Sequence, residues 1–270
     1  MTPPRRRSVF ADRLLEFPDF VFSDGKQFKH RGRWREFFRE RMNAPVGWAP
    51  PTTSIEGGQC LPYESRVGET FDDRIIFEIG CNDATLLATV AAKHPTTVFI
   101  GIDWKYRALH TAAERVAAAN LRNVALLHGR GQDVRRIFAD DEVDEVWLFH
   151  PDPCDKPNEL PNRLIAEPFL LDVEAVLRDE RSLLVLKTDH RDYYESALAC
   201  AALQTVQEHF EVRASSADFW NDAAVRGHSA SRAFAGEATL YEERFRRKRK
   251  PIYYLEMRRR RARPEVGRHP

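Results

Sequence analysis

The stretch Ile75-Ile-Phe-Glu-Ile-Gly-Cys-Asn-Asp-Ala84 decides the fold of this 270-residue chain. A short apolar run ends in a glycine turn, and a helical pattern follows over residues 84–93. A second apolar run, Val98-Phe-Ile-Gly-Ile102, ends in Asp103 and precedes an alanine-rich helical pattern over residues 108–119. Repeated strand–helix units of this kind are typical of a parallel sheet with helices on both faces.

The alternation of strands and helices continues toward the C-terminus. Further strands are predicted over residues 124–127, 145–149, 182–186, 206–214 and 252–257. Further helices are predicted over residues 134–138, 164–177 and 194–209. The predicted fold is therefore α/β: a doubly wound, mostly parallel, seven-stranded sheet of the Rossmann-like class.

Three parts of the chain differ in composition. Residues 1–70 read as an N-terminal arm, rich in aromatic and basic residues, that ends in an irregular connection with four prolines between residues 44 and 62. Residues 71–260 form the α/β domain, and residues 261–270 form a basic tail. We expect the arm to wrap over the domain, which is compatible with a contact to the substrate.

Composition excludes several classes of protein. With 43% hydrophobic and 11% aromatic residues the chain has ample material for a core, so global disorder is excluded. The longest apolar runs are far shorter than the roughly 20 residues that span a bilayer, and the first residues do not read as a secretory signal. The four cysteines are scattered without a CxxC pair, which argues against a disulfide framework or a zinc site and favours the cytoplasm. Monomer and homodimer both stay open.

Charge is unevenly distributed along the chain. The 42 Lys and Arg nearly balance the 41 Asp and Glu, yet twelve of the basic residues lie between Arg244 and Arg268 beside two Glu. An acidic body with a basic C-terminal segment is typical of a protein with a polyanionic partner, although a solvated surface has the same composition.

Polar residues follow the predicted strands at the edge where an α/β sheet binds ligands. Gly80 lets the backbone approach a ligand closely, and Asp103, about 23 residues later, suits the hydroxyls of a ribose. Asp152 lies in a Pro-Asp-Pro turn after one strand and Asp189 follows the next strand, so both carboxylates can accept from the N–H groups of a purine. These residues predict a nucleoside site flanked by two carboxylates.

Taken together, these motifs resemble the tRNA (guanine-N7)-methyltransferase family, which uses S-adenosylmethionine and has a Rossmann-like fold. The resemblance runs from about Arg31 to Arg258. Its motifs are, in chain order, Gly32-Arg-Trp34, Glu78-Ile-Gly80, Ile100-Gly-Ile-Asp103, Pro151-Asp-Pro153 with Lys156, Lys187-Thr-Asp189, Thr239-Leu-Tyr-Glu-x-Arg244 and Pro251-Ile-Tyr253. The resemblance implies methyl transfer to N7 of a guanine in tRNA, without a metal ion.

The resemblance also implies a role for each matching residue. Asp152 is implied to lie between donor and base as the principal active-site residue. The residues implied to bind S-adenosylmethionine are Glu78, Gly80, Asp103, Trp104, Arg130, Gly131 and Asp152. The residues implied to hold the target guanosine are Lys156, Asp189, Thr239, Tyr241 and Glu242.

Two departures from the family pattern concern the methyl donor. The glycine-rich turn keeps only Gly80, so the chain must turn with side chains present, with Asn82 or Asp83 in a left-handed conformation. The third strand usually ends in an acid or amide followed by alanine, whereas this chain has Arg130-Gly131, with residues 132–133 as substitutes for the contact to adenine.

The third departure concerns the substrate. After the Pro-Asp-Pro turn the family has a strongly basic stretch, whereas residues 154–163 keep only Lys156 and Arg163 as cations. The basic segment from Arg244 to Arg263 is predicted to replace the missing phosphate contacts, unless it is a solvated surface. Two further functions stay open: a related methyltransferase that acts on a small heteroaromatic molecule, and a protein without catalysis that binds RNA.

Overall fold

The computed structural model describes residues 8–43, 72–228 and 237–260. The proline-rich connection over residues 44–62 and the predicted basic tail over residues 261–270 lie outside the described residues. In the described residues, α-helices and strands alternate as the sequence predicts.

Eight strands form one sheet within the described residues. They are β1 (Val21–Phe22), β2 (Ile75–Ile79), β3 (Val98–Asp103), β4 (Val124–His128), β5 (Glu145–Phe149), β6 (Leu183–Thr188), β7 (Phe210–Ser216) and β8 (Tyr253–Arg259). The α-helices are α1 (Val9–Arg13), α2 (Trp34–Asn43), α3 (Thr85–Lys93), α4 (Tyr106–Ala118), α5 (Val134–Ile137), α6 (Glu167–Val176), α7 (Arg191–Ala201), α8 (Gln204–Gln207), α9 (Ala223–His228) and α10 (Leu240–Arg247).

The order of the strands confirms a doubly wound, mostly parallel sheet. The order is β1-β4-β3-β2-β5-β6-β8-β7; all pairs from β1 to β6 are parallel, and β8 runs antiparallel to both β6 and β7. Strand β2 pairs with β3 on one side and β5 on the other, so the strand order reverses there. Ligands of such sheets bind beyond the carboxyl ends of the strands at this reversal.

The sheet is buried on both faces because its central strands are apolar throughout. All five residues of β2 are buried. Alternation along this strand sends Ile75 and Phe77 into one core cluster and Ile76 into another. Helices α2, α6 and α7 cover the first face, and helices α3 and α4 cover the second. No helix among the described residues is long and apolar enough to cross a membrane.

The N-terminal arm supplies the eighth strand, which the seven-strand prediction does not include. Strand β1 extends the sheet beside β4, with Val21 opposite Leu126, and the amide of Leu126 donates to the carbonyl of Phe20 at 2.7 Å. A two-residue strand is too short to show an alternating pattern in the sequence. It covers the edge of β4, which otherwise presents unpaired backbone groups.

One predicted helix is divided in the structure. The helix predicted over residues 194–209 is present as α7 and α8, because the backbone is extended at Leu203 (ψ 137°). The break turns Val206 into the core, where it is fully buried. Strand β7 therefore begins at Phe210 rather than at residue 206.

Trp34 joins the arm to the domain. Its side chain is fully buried, and its indole Nε1 donates to the carbonyl of Ile137 at 3.1 Å. The carboxylate of Glu142 accepts from the backbone amides of Gly32 (2.8 Å) and Trp34 (3.0 Å). The Gly-Arg-Trp motif is therefore a packing motif that fixes the arm on one face of the sheet.

Trp34→Ala should lower the free energy of unfolding by about 3–5 kcal/mol, because it leaves a large cavity in the core and an unpaired carbonyl. Leu15→Ala is the matched control: Leu15 lies in the same arm but is 53% exposed, so its loss should change the unfolding free energy by less than about 1 kcal/mol. Chemical denaturation followed by circular dichroism measures both. Equal effects of the two substitutions would show that the arm is not part of the cooperative core.

Candidate active site

A crevice opens at the carboxyl ends of β2, β3, β5 and β6, where the strand order reverses. It consists of two adjoining cavities of about 440 and 300 Å³. The residues that line both cavities are Ile79, Gly80, Asp103, Trp104, Pro151 and Asp152. The smaller cavity continues toward the loop after β4, and the larger one continues toward β6 and α10.

The turn after β2 forms one wall of the crevice with a single glycine. Gly80 has φ of +78°, and a Cβ built on it would meet no atom within 4 Å, so open space faces its backbone. Asn82 and Ala84 also have positive φ, +50° and +53°. Asn82 therefore has the left-handed conformation that the sequence predicts for Asn82 or Asp83. Ala84 has a left-handed conformation as well, which the sequence does not predict.

Asp103 and Arg115 hold this turn in place. The Asp103 carboxylate accepts from the backbone amides of Asn82 at 3.0 Å and Lys105 at 2.8 Å. Arg115 from α4 donates through Nε to the carbonyl of Asp83 at 3.0 Å and through Nη2 to its carboxylate at 3.1 Å. Left-handed conformations of non-glycine residues cost about 1 kcal/mol each, and these contacts offset that strain.

Glu78 is a buried carboxyl group with an unused hydrogen-bond acceptor. Its Oε2 is buried and has no hydrogen-bond partner among the described residues. Burial, together with the nearby carboxylates of Asp83 and Asp103, raises the pKa of Glu78 to about 8. A cationic ligand in the crevice would favour the ionised form of this carboxyl group. The same surroundings raise the pKa of the buried Cys81 thiol, with burial as the main cause, which keeps the thiol protonated.

The loop after β4 closes the smaller cavity. Gly131 lies against the end of β2, where a Cβ would collide with the side chain of Ile79. The position therefore needs a glycine for close packing. Arg130 and Gln132, on either side, line the cavity. Asp103 lies between this loop and the turn after β2, where its remaining lone pairs can accept from hydroxyl groups.

The larger cavity carries the residues predicted to hold the base. Asp152, Asp189, Thr239 and Tyr241 all line it. The amide of Cys154 donates to Asp152 Oδ1 at 3.2 Å, so the Pro-Asp-Pro turn fixes this exposed carboxylate at the boundary of the two cavities. Five acidic side chains and one lysine, Lys105, line the larger cavity, so its lining is acidic.

Two predicted substrate residues lie outside the crevice. Lys156 is on the surface and forms an ion pair with Glu159 at 2.9 Å. Glu242 is fully buried beneath the crevice, where its carboxylate accepts from Lys187 Nζ at 2.9 Å and from the backbone amide of Thr239 at 2.7 Å. Neither side chain lines either cavity.

Glu242 instead anchors α10 to the sheet. Thr239 and Glu242 form a capping box at the start of α10, since the hydroxyl of Thr239 accepts from the Glu242 amide at 3.0 Å. Burial is the largest single effect and opposes the ionisation of Glu242, but the charge of Lys187 and the hydrogen bonds from Thr239 and Lys187 together outweigh it and leave the pKa of Glu242 below its usual value. The pair places Tyr241 and Phe245, one helical turn apart, at the crevice.

The crevice also contains residues that the sequence motifs did not single out. His150 lines the larger cavity, with Nδ1 3.4 Å from Asp189 Oδ1, although no motif of the sequence assigned it to the site. Phe149, Phe245 and Asn82 line it as well. The position of His150 directly after a buried strand and directly before the Pro-Asp-Pro turn is the signal that could have found it.

Other features of the described residues do not compete with this site. No group of three or more His, Cys, Asp or Glu side chains among them could hold a metal ion. A cavity of about 690 Å³ lies at the opposite end of the sheet, but its lining is mostly charged, and one of its arginines, Arg258, already pairs with Glu211 at 2.7 Å. The crevice combines an unpaired carboxylate, an open backbone and convergent acids, which the other cavity lacks.

Comparisons with known proteins identify the family of this chain. The family model Methyltransf_4, described as "Putative methyltransferase", matches residues 72–255. A tRNA (guanine-N(7)-)-methyltransferase of Lactococcus lactis subsp. cremoris is 30% identical over 196 residues, which cover 72% of this chain and 85% of that protein. The chain belongs to the tRNA (guanine-N7)-methyltransferase family.

Two further proteins share the fold over most of the chain. A bifunctional glycosyltransferase/methyltransferase of Fusobacterium nucleatum subsp. nucleatum is 24% identical over 93% of this chain, which spans about a third (32%) of that protein's length. A solved structure described as an antibiotic-related methyltransferase superposes with a TM-score of 0.50 over 71% of this chain and 89% of that one, at 17% identity. The second likeness shows the fold alone.

This chain is an S-adenosylmethionine-dependent methyltransferase, and the crevice suits that donor. S-adenosylmethionine supplies an electrophilic methyl group on a sulfonium centre and carries an ammonium group. The unpaired Oε2 of Glu78 suits the cationic end of the donor, and the open backbone at Gly80 leaves room beside it. Asp103 suits the ribose hydroxyls, and the loop at Gly131 suits the adenine.

Glu78→Gln should stabilise the methyltransferase without ligand while weakening donor binding. Because the Glu78 pKa is raised, the folded state holds a proton that the unfolded state releases above about pH 4.5, so stability falls as pH rises from there to about 8. Each pKa unit corresponds to about 1.4 kcal/mol, so the variant should gain up to a few kcal/mol at pH 8 and nothing at pH 4. Thermal denaturation across this pH range measures the difference.

Donor affinity supplies the second half of this test. Affinity of the wild type for S-adenosylmethionine should rise with pH up to about 8, because the cation binds the ionised carboxylate, and the variant should lose this rise. Glu159→Gln, a half-buried Glu outside both cavities, is the control and should change neither quantity. A variant that binds the donor as the wild type does would exclude Glu78 from the donor site.

Proposed function

We propose that this methyltransferase transfers the methyl group of S-adenosylmethionine to N7 of a guanine in tRNA. The observation that carries the proposal is the position of Asp152, which lines both cavities: the smaller one with the loop suited to adenine, and the larger one with Glu78 on one side and Asp189, Thr239 and Tyr241 on the other. The activity of the relative from Lactococcus lactis subsp. cremoris, over 85% of its length, supports the same reaction.

The reaction needs positioning more than acid–base catalysis. N7 of guanine carries a free lone pair, so no proton has to leave before the methyl group is accepted. Alignment of the lone pair with the methyl group can contribute roughly 7–11 kcal/mol. In this proposal Asp152 lies beside the reacting atoms, and the crevice walls hold the base in line.

The carboxylates of the crevice can stabilise the charge that the reaction produces. Methylation at N7 leaves a positive charge on the purine ring. Asp152 and Asp189 are fixed before the reaction and can stabilise this charge as it develops. A fixed carboxylate can also accept from the N–H groups of guanine, which adenine lacks at the same positions. To reach Asp189, the base must leave its stack in the RNA.

A basic face of α10 leads away from the crevice. Tyr241 and Phe245 line the cavity, and Arg244 and Lys248, spaced three to seven residues after Tyr241, lie along the same side of the helix and are exposed. Within the described chain, the only basic residue from 244 to 250 with a carboxylate at ion-pair distance is Arg247, next to Glu243 at 3.9 Å. This face can bind the phosphates of an RNA whose base enters the crevice.

One observation favours the small-molecule substrate as a second candidate. The two cations after the Pro-Asp-Pro turn are engaged within the protein: Lys156 pairs with Glu159, and Arg163 donates to the carbonyls of Pro153 at 2.9 Å and Asp192 at 3.2 Å. Arg163 is therefore not displayed for phosphate binding, and Lys156 is exposed but already has a carboxylate partner. The basic face of α10 has no use in that alternative, which is why tRNA is preferred. The cytoplasm suits both candidates, since Cys81, Cys154 and Cys200 are free thiols.

Incubation of the purified protein with methyl-labelled S-adenosylmethionine and unmodified tRNA should yield 7-methylguanosine. Replacing the modified guanosine with 7-deazaguanosine should abolish the labelling, because the nucleophilic nitrogen is gone. Asp152→Ala should lower kcat/KM by about 100- to 1,000-fold while donor affinity changes less. Donor binding without any labelling of RNA would favour the small-molecule candidate, and absence of donor binding would leave only RNA binding.

The contribution of the α10 face can be tested by the salt dependence of tRNA affinity. Arg244→Gln with Lys248→Gln should lower the slope of log affinity against log salt concentration by about 0.7–0.9 for each lost phosphate contact, up to about 2 in total. The matched control is Arg181→Gln with Arg213→Gln, two exposed arginines outside the crevice, and it should leave the slope unchanged. Equal slopes for all three proteins would show that α10 is a solvated surface.

A further inference from the structure

His150 has an unusual place between β5 and the Pro-Asp-Pro turn. Its backbone adopts φ of +50°, and its amide donates to the carbonyl of Lys187 at 2.8 Å, which ties the end of β5 to β6. Residues other than glycine rarely adopt this conformation, and such strain concentrates at functional sites. The strained backbone aims the imidazole at the larger cavity rather than along the strand.

The imidazole has one nitrogen engaged and one without a partner. Nδ1 lies 3.4 Å from Asp189 Oδ1, and this hydrogen bond lowers the pKa of Asp189, so the carboxylate is ionised at neutral pH. The side chain is only 7% exposed, and its Nε2 is buried with no hydrogen-bond partner among the described residues. In a neutral imidazole that donates through Nδ1 to a carboxylate, Nε2 is a hydrogen-bond acceptor.

The surroundings of Nε2 suit a planar base. The rings of Tyr241 and Phe245, which line the same cavity, lie 5.9 and 6.0 Å from the imidazole. Tyr241 is 48% exposed and stands on α10, which the Lys187–Glu242 pair anchors from below. A half-exposed side chain on an anchored helix can move aside for an entering base while the helix stays in place.

We propose that His150 is a specificity-determining residue whose Nε2 accepts a hydrogen bond from the N2 amino group of the target guanine, with Asp189 fixing the tautomer and accepting from guanine N1–H. The proposal rests on the proposed function, because it assumes that a guanine enters the larger cavity. Adenine has no amino group at C2 and no proton on N1, so it would leave both acceptors unpaired. Loss of a partner for a buried acceptor is the strongest means by which a site rejects an analogue.

Inosine isolates the contact, since it lacks the N2 amino group and keeps both N1–H and N7. The measurement is kcat/KM for a tRNA with guanosine at the modified position, divided by kcat/KM for the same tRNA with inosine there. The wild type should prefer guanosine by roughly 10- to 100-fold, the range of one hydrogen bond to a buried acceptor. His150→Asn should bring the ratio close to 1, because its side chain reaches Asp189 but not the place of Nε2.

His150→Gln is the matched variant, because its longer side chain can present an acceptor near the place of Nε2. Asparagine tolerates a positive φ better than glutamine does, so a purely structural role predicts that the asparagine variant is the better enzyme on both substrates. The proposal predicts that glutamine keeps more of the preference for guanosine. Donor affinity, measured without RNA, should be unchanged in both variants and shows that they are folded.

The outcomes separate this inference from the proposed function. A wild type that does not methylate guanosine in tRNA overturns both. A wild type that does so without preferring guanosine over inosine, or variants that lose activity equally on both substrates, overturn the role of His150 and leave the proposed function intact. If the glutamine variant does not fold, the asparagine variant against the wild type still decides.

Discussion

Repulsion between carboxylates at the ends of parallel strands is the constraint that shapes this site. Parallel strands direct their carboxyl ends to one edge, so Glu78, Asp103, Asp152 and Asp189 meet in one crevice. Three of them already have partners: Asp103 and Asp152 accept from backbone amides, and Asp189 lies beside His150. Glu78 has none for its buried Oε2, and burial together with the carboxylates of Asp83 and Asp103 raises its pKa to about 8, so it holds a proton at neutral pH. A cationic methyl donor bound beside Glu78, as proposed, would offset this repulsion and gain binding energy from it.

The turn after β2 shows how the crevice keeps its shape with a single glycine. Gly80 is the residue whose backbone faces open space, so it is the position where a side chain would extend into the crevice. Asn82 and Ala84 adopt the left-handed conformations that complete the turn, at some cost in strain. Asp103 stabilises the turn by accepting from the amide of Asn82, and Arg115 does so by donating to the carbonyl next to it in the turn. Asp103 thus supports the turn and also lines both cavities of the crevice. Without the further glycines of the family pattern, the turn is stabilised in a different way, but the backbone at Gly80 still faces open space.

The sequence predicts the sheet well because buried parallel strands are short continuous apolar runs, which few other elements imitate. Strand β1 and the break at Leu203 lack such a signal: the first has two residues, and the second is a backbone change within a helical pattern. In the site, positions at strand ends follow from the sheet, so Gly80, Asp103, Asp152 and Asp189 could be placed in advance. His150 is marked only by its position between β5 and the Pro-Asp-Pro turn, and the positive φ that directs its ring cannot be read from the sequence.

Glu242 shows why a conspicuous motif does not reveal which of its members faces a ligand. In Thr239-Leu-Tyr-Glu-Glu, helical spacing puts Tyr241 and Glu242 on different sides of α10, and only tertiary contacts decide which side is inward. The buried Lys187 lies between the rings of Phe149 and Phe219 and needs a counter-charge, since an unpaired ammonium in that place would be far more costly than a paired one. Glu242 supplies it, and this turns Tyr241 outward to the crevice. The ion pair therefore fixes the rotation of α10 about its axis. This rotation places the aromatic side chains of α10 at the crevice and sets the direction of the basic face beyond it.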